Sequence, residues 1–516
     1  MTQSARGTTR SPRWSVAARL FVTVWIVYSI HFATNVVRET YLAISLGDSF
    51  SVRVDRYMGL HPDLFEIPGR GAYINSNPGA SMLGAVPYAI SRPVIDGILR
   101  AKPELARPKP PATYSDPRPN RTRFMNESRR RGLDVKLGLA AASMHAGLMA
   151  PLGALGAVVM FLFLRARLRD ERKALWLALL YAFGTPIFFR SAFLNQNAIV
   201  AHAALLAYVL LTGSKPVSEQ DTYQSSEAPE VPAPSRFVGA GALLGLSVLC
   251  DYSGVALAVA FGLWTVWQGW KRDGGAAALK WPLLLIAGAA GPMALLFMYQ
   301  WAAFGNPLLP AQAYMPSTEF SVRGWHGFDF PTPRLLFANL FDPTFGLFAF
   351  CPMLLAAFAA PLLKDREREG GPTGTELVLI FGASTALYIF ASSVQFAALQ
   401  FNTGVRYMVP AAPLLFIALV PVLLRLPRWA SLALVIPTVA VSWSVAMARE
   451  SVPVSLSRII YGGFELPWLT VLQKMSGAYV PFLAEHPSPV PLFLLVGLLL
   501  WLIWRPVVRK PAIASR

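Results

Sequence analysis

Apolar residues occur along most of this chain in long runs separated by short polar stretches. A helix needs about 20 mostly apolar residues to cross a bilayer, and fewer where protein shields it. The pattern therefore predicts an all-α bundle of twelve membrane-spanning helices. The predicted spans are 15–37, 139–164, 174–192, 195–213, 237–251, 253–270, 281–302, 344–363, 376–394, 407–425, 429–447 and 488–506.

The Lys and Arg residues of the short connections predict the orientation of this bundle. If both ends of the chain are cytoplasmic, every inner connection carries Lys or Arg, as inner connections generally do. The outer turns near 193 and 252 then carry almost none. The polar tail 1–14 and an acidic, Pro/Ser-rich linker at 214–236 lie inside, and the composition of the linker predicts disorder. Large outer loops are predicted at 38–138, 303–343 and 448–487.

The composition excludes several classes of protein. The 516 residues are 54% apolar and only 14% charged, which is typical of a membrane protein and not of a soluble one. The formal net charge is +18. Because no basic stripe with interleaved aromatic residues occurs away from the span ends, we predict no nucleic-acid binding. The absence of a GxxxxGK[ST] motif also argues against nucleotide hydrolysis.

The first outer loop begins with the charged stretch "NVVRETYLAISLGDSFSVRVDRY", directly after the first apolar run. It contains the carboxylates Glu39, Asp48 and Asp55. An ionisable residue at a membrane edge is a functional candidate, because placing it there is costly. Loop carboxylates can also be merely solvated, so both interpretations stay open. Farther on, "SNPGAS" predicts a turn into an apolar helix of about 15 residues that lies in the membrane interface.

Other polar residues are predicted at the outer ends of spans. Arg406 in "NTGVRYMVP" could offer a planar fork to phosphate oxygens, or could lie in the interface beside Tyr407. Asp251 in "CDYSG" could orient a substrate or cap a helix. The cluster of Arg190 with residues 195–197 could be functional or a solvated turn.

Four stretches, in this order along the chain, carry a resemblance to a known class. They are "SVRVDRY" with "YINSNPGASML", "ALLYAFGTPIFFRSAF", "GALLGLSVLCDYSGVAL" with "AAFGNPLLPAQAY", and "FNTGVRYMVPAAPLL". The chain resembles the GT-C class of membrane glycosyltransferases, which contains protein O-mannosyltransferases and the lipid A aminoarabinose transferase. It is most similar to bacterial polytopic proteins of that class.

The resemblance implies transfer of a sugar from a polyprenyl-phosphate carrier, with inversion, at the outer face of the bacterial cytoplasmic membrane. The acceptor would be a glycan, lipid or protein of the cell envelope. A carboxylate just after the first span acts as general base in this class, and Glu39 matches that position, although aspartate is more usual there. Asp48 and Asp55 are the alternatives, and Arg406 is the expected ligand of the donor phosphate. Supporting residues would be Asp251, Tyr73, Asn75 and Arg190, and a divalent metal stays open.

Two other functions fit parts of the pattern. A secondary transporter of the major facilitator type also has twelve spans, but it should show two comparable halves. The two halves of this chain are unlike, and its spans contain almost no charge. A surface-polysaccharide polymerase or ligase should concentrate its polar residues in a late outer loop, whereas here the first loop is the longest. A membrane scaffold without chemistry is a third alternative.

Overall fold

The computed structural model describes residues 15–34, 36–111, 119–213, 233–317, 322–364, 370–394, 404–475 and 488–505. The predicted tail 1–14 and nearly all of the predicted linker 214–236 lie outside these residues. The structure is 75% helical and contains few strands. The predicted α-helical character is therefore confirmed.

The α-helices follow one another through the described residues. They are α1 (Val16–Ile30), α2 (Arg38–Ser49), α3 (Gly79–Ala101), α4 (Pro119–Arg130), α5 (Asp134–Met144), α6 (Ala150–Leu168), α7 (Glu171–Gly184), α8 (Ile187–Arg190), α9 (Gln196–Thr212), α10 (Pro234–Cys250), α11 (Ser253–Asp273), α12 (Lys280–Phe304), α13 (Pro333–Phe341), α14 (Leu347–Phe350), α15 (Gly374–Ser393), α16 (Ala411–Arg425), α17 (Arg428–Ala448), α18 (Val452–Gly462), α19 (Pro467–Met475) and α20 (Val490–Trp504). A π-helical turn, His145–Met149, joins α5 to α6. The 3₁₀ segments are Asp55–Tyr57, Pro103–Ala106, Gly275–Leu279, Ala311–Ala313 and Pro352–Leu362.

Several helices are suited to a bilayer. Four of the described helical segments are long and apolar enough to cross a membrane, namely Asp134–Leu168, Gly275–Phe304, Gly374–Ser393 and Arg428–Ala448. Six shorter helices are also apolar. Every segment predicted as a span overlaps a helix of the structure. The number of spans and the side on which the termini lie stay predictions.

The centre of the bundle is α16. Its residues are buried from Ala411 to Leu423, and it packs against α7, α9, α15 and the 3₁₀ segment Pro352–Leu362. Helices α10 and α12 approach each other closely through glycine. A Cβ atom at Gly241 would overlap the carbonyl of Leu285, and one at Gly288 would overlap the carbonyl of Val238. Small residues at such contacts let helix backbones approach within membranes.

The segment predicted as the first outer loop is extensively folded. Strands β1 (Leu64–Ile67) and β2 (Gly71–Ile74) pair as an antiparallel hairpin, which the all-α prediction missed. Helix α3 has 23 residues and passes through Pro87 and Pro93, so the predicted length of about 15 is too short. Packing of α3 against α2 and α5 outweighs the two backbone hydrogen bonds that proline removes. This loop brings polar residues back against the bundle.

Candidate active site

A small open cleft lies where four segments of the chain meet. These segments are the start of α2, the approach to β1, the connection from α8 to α9, and the turn before α16. The polar residues that line the cleft are Arg38, Glu39, His61, Asp63, Arg190, Asn195, Gln196, Asn197 and Arg406. Three guanidinium groups and two carboxylates therefore face one small volume, which is an unusual density of charge for a membrane protein.

A single guanidinium group joins the two carboxylates. Arg38 opens α2, and its Nε lies 3.0 Å from Oε1 of Glu39, which is in the first helical turn and only 2% exposed. The same guanidinium group donates a hydrogen bond to Oδ2 of Asp63. Burial, the largest single effect, would raise the pKa of Asp63, but the charge and hydrogen bond of Arg38 together with smaller contributions from other neighbours bring the net pKa below the ordinary value. Both carboxylates are thereby held next to a cation.

The β-hairpin positions Asp63. The backbone N–H of Asn75, just after β2, donates to the carbonyl of Asp63 over 3.1 Å, and so fixes the approach to β1. The N–H of Asp63 donates to Nδ1 of His61 over 3.1 Å, so that the neutral imidazole carries its proton on Nε2. Burial lowers the pKa of His61, and Phe124 of α4 stacks on its ring at 5.8 Å. His61 is therefore neutral near pH 7.

Arg190 and Arg406 supply positive charge on another side of the cleft. Arg190 ends α8, is 3% exposed, and donates to the carbonyl of Gly404 over 3.4 Å. Gly404 has φ 51°, and a Cβ atom there would collide with the ring of Phe350. Glycine thus lets this turn fold tightly and present Arg406 to the cleft. The charge of Arg406 also contributes to the lowered pKa of Asp63.

The structure separates the three carboxylates proposed as bases. Glu39 lines the cleft with Arg406 and Arg190. Asp48 instead accepts hydrogen bonds from Tyr88 and Lys136, each over 2.7 Å.

Asp55 belongs to the hairpin. It accepts the N–H of Ala72 over 2.6 Å and pairs with the exposed Arg53 at 2.9 Å. Asp48 and Asp55 therefore have contacts typical of structural residues, and they do not line the cleft.

Of the four supporting residues named from the sequence, Arg190 lines the cleft, and the other three have local contacts outside its lining. Asp251 accepts the N–H of Ser253 over 2.8 Å, just before the start of α11. The hydroxyl of Tyr73 donates to the carbonyl of Arg70 over 3.1 Å. The carbonyl of Asn75 accepts from Gln312 over 2.8 Å.

The polar cluster after α8 is not a solvated turn, because Arg190 is 3% exposed and Asn197 is 1% exposed. Sequence reasoning missed His61 and Asp63, which stand in the unremarkable stretch "GLHPDLFEIPGR". A proline–glycine turn between two short apolar runs was the available signal for the hairpin that positions them. Among the described residues, no three His, Cys, Asp or Glu side chains are grouped as a metal site.

A scan against protein-family models and a search of curated proteins found no match. A search of solved structures found ArnT from Cupriavidus metallidurans bound to undecaprenyl phosphate, with 15% identity and a TM-score of 0.47 over 95% of this chain and 75% of that one. The apo state of the same protein gives a TM-score of 0.46 at 15% identity, with the same coverage of both chains. The search also found the archaeal oligosaccharyltransferase AglB from Archaeoglobus fulgidus, in complex with an inhibitory peptide and a dolichol-phosphate. It gives 13% identity and a TM-score of 0.39, over 90% of this chain and 58% of that one.

ArnT and AglB are both GT-C membrane glycosyltransferases, the class that the sequence motifs resemble. Because the identities are low and the TM-scores lie below 0.5, the function of this chain has to be derived from its own residues.

Proposed function

We propose that this chain is a membrane glycosyltransferase of the GT-C type that uses a polyprenyl-phosphate-linked sugar. The main supporting observation is that Glu39 and Arg406, which are far apart along the chain, line the same cleft. Both were proposed from the sequence, one as general base and the other as ligand of the donor phosphate. The cleft thus combines a carboxylate with two guanidinium groups, which are the groups that displacement of a phosphate requires.

In the proposed reaction, the oxygen of an acceptor hydroxyl attacks the anomeric carbon of the donor sugar. Glu39 takes the proton of that hydroxyl, and the bond between the anomeric carbon and the phosphate oxygen breaks. The electron pair of the broken bond leaves with the polyprenyl phosphate, and the configuration at the anomeric carbon inverts. Glu39 then releases the proton to solvent.

Arg406 and Arg190 would hold the phosphate as negative charge develops on it. The two guanidinium groups lie within electrostatic range of each other, and an anion between them relieves their repulsion. Arg38 has a different role in this proposal, because it already bridges Glu39 and Asp63. Its positive charge lies between the two carboxylates and holds them at the cleft.

The proposal places the cleft at the outer face of a bacterial cytoplasmic membrane. The isoprenoid chain would lie along apolar helices, and the acceptor would be a component of the cell envelope. Both expectations come from the distribution of Lys and Arg and from the resemblance of the motifs to the GT-C class.

The test is transfer by the purified protein in lipid nanodiscs, with radiolabelled sugars on undecaprenyl phosphate and envelope extract as the source of acceptor. Glu39→Gln should lower the transfer rate about 10²–10⁴-fold, the usual contribution of a general base. Arg406→Ala should lower it about 10²–10³-fold, as loss of one group that stabilises developing charge does. Asp55→Asn is the control, since Asp55 lies in the same loop but outside the cleft, and it should retain activity.

Two outcomes would contradict the proposal. One is full transfer by Glu39→Gln, which would remove the base from the reaction. The other is loss of transfer in Asp55→Asn with retention in Arg406→Ala, which would place the chemistry elsewhere.

A further inference from the structure

Asn197 is a buried amide without a hydrogen-bonding partner in the described part of the chain. It is the second residue of α9, lines the cleft and is 1% exposed. Neither its Nδ2 nor its Oδ1 has a hydrogen-bond partner among the described residues. Leaving a buried polar group unsatisfied costs stability, and an apolar side chain of the same size would avoid that cost. A residue that costs stability in this way is a candidate for binding a ligand.

The start of α9 fixes the backbone position of Asn197. Asn195 caps the helix, and its side-chain oxygen accepts the N–H of Ala198 over 2.9 Å. The helix therefore begins at a defined residue, and Asn197 is held on its first turn. Phe193 lies beside it in the lining of the cleft, with the guanidinium of Arg190 5.5 Å from its ring centroid. The amide thus lies in the same lining as Arg190, a phosphate-binding candidate.

The chemistry of the amide distinguishes between the parts of a glycosyl phosphate. An asparagine side chain offers two N–H donors and one carbonyl acceptor. A phosphate only accepts hydrogen bonds, so it would leave Oδ1 unsatisfied. A sugar hydroxyl both donates and accepts, and two adjacent hydroxyls satisfy both ends of the amide at once. The free donor and acceptor therefore match the sugar and not the phosphate.

We propose that Asn197 binds hydroxyl groups of the sugar that is transferred and is a specificity-determining residue of the cleft. This inference rests on the proposed function, because it takes the donor phosphate to lie at Arg190 and Arg406. The sugar then lies on the α9 side of the cleft, where its anomeric carbon can be reached by an acceptor activated at Glu39. The accepted class is a sugar with free hydroxyls at the positions that face Asn197. A donor that lacks or masks such a hydroxyl leaves the buried amide unsatisfied and is rejected.

The test measures binding, so that it does not depend on turnover. Undecaprenyl phosphate alone and undecaprenyl-phosphate-linked glucose, mannose, galactose and arabinose are titrated into the nanodisc protein. The wild type should bind at least one glycosylated carrier about tenfold or more tightly than the bare carrier, since two neutral hydrogen bonds contribute that much. Asn197→Leu, which keeps the volume and removes both polar groups, should bind the glycosylated and bare carriers equally.

Asn339→Leu is the matched control. Asn339 is also buried, but it lies in α13 and its amide donates to Ser392 over 3.2 Å. This variant should lose stability and keep the preference for the glycosylated carrier, whereas Asn197→Leu should not lose stability. Retained preference in Asn197→Leu, or a wild type that binds every glycosylated carrier no more tightly than the bare one, would overturn the inference. Sugar-dependent binding without any transfer would instead refute the proposed function alone.

Discussion

Replacing Arg38 by glutamine tests how the two carboxylates of the cleft depend on the guanidinium group between them. The side chain of Arg38 is 10% exposed, that of Glu39 is 2% exposed and that of Asp63 is 14% exposed. In Arg38→Gln the two carboxylates would remain in the lining of the cleft with little water and no shared cation. Removing one partner from a buried ion pair costs about 3–5 kcal/mol, because the remaining charge is uncompensated. Arg38→Gln should therefore be destabilised by about that amount.

A second substitution separates charge from lost packing. In the double variant Arg38→Gln/Asp63→Asn, one of the two carboxylates is gone, so much of the lost stability should return. Coupling between residues in one charged network is commonly about 0.5–3 kcal/mol. Arg53→Gln is the control, because Arg53 and Asp55 form an exposed ion pair in the same loop and such pairs contribute little.

Thermal unfolding of the detergent-purified variants, followed by tryptophan fluorescence at one scan rate, supplies the comparison. Arg38→Gln should unfold at a clearly lower temperature, with partial recovery in the double variant and no change in Arg53→Gln. Two results would contradict this interpretation of the site. One is an unfolding temperature of Arg38→Gln equal to that of the wild type. The other is a further drop in unfolding temperature when Asp63→Asn is added to Arg38→Gln, because the two carboxylates would then not depend on this guanidinium.

Three further predictions follow from particular contacts. The folded state lowers the pKa of His61, so below about pH 6.5 the unfolded chain binds more protons at this residue, and stability should fall as the pH falls. His61→Gln should lessen that loss in unfolding temperatures measured from pH 7.5 to 5. An unchanged pH dependence in this variant would contradict the assignment to His61. Gly404→Ala should destabilise the protein by about 1–2 kcal/mol or more, since φ is 51° at this residue and the added Cβ meets Phe350. Gly382→Ala is the control and should be neutral or stabilising, because a Cβ atom there would have nothing within 4 Å. Equal unfolding temperatures of the two variants would contradict this prediction. Glu66→Cys should react with a membrane-impermeant maleimide in intact cells, because Glu66 is exposed and its loop is predicted to lie outside. The two native cysteines are buried and should give little background. Labelling only after lysis would place the loop inside.

The helices could be predicted from the sequence because burial in lipid requires long apolar runs. Even the division between α10 and α11 could be found, since "CDYSG" interrupts the apolar run with polar residues. The sequence predicts too short a helix α3, because Pro87 and Pro93 indicate interruptions of the helical pattern. Tertiary packing against α2 and α5 decided otherwise, and no local pattern reports it.

The candidate site was only partly predictable for a similar reason. Glu39 could be proposed because of its place just after the first span, and Arg406 because a turn precedes it. Asp63 could not, because its importance comes from a guanidinium 25 positions earlier in the sequence and from a hairpin that folds it back. Asn197 was visible only as part of a polar cluster, since sequence does not show whether an amide is satisfied.

The location of the donor can be measured by photo-crosslinking. The probe is undecaprenyl phosphate with a diazirine on the isoprene unit next to the phosphate, applied to the protein in nanodiscs and mapped by peptide mass spectrometry. We expect label within residues 37–39 and 190–197, the walls of the cleft, and we expect unlabelled undecaprenyl phosphate to compete it away. Label that lies only on other helices, or label in the cleft that undecaprenyl phosphate does not displace, would contradict the proposal that this cleft binds the donor.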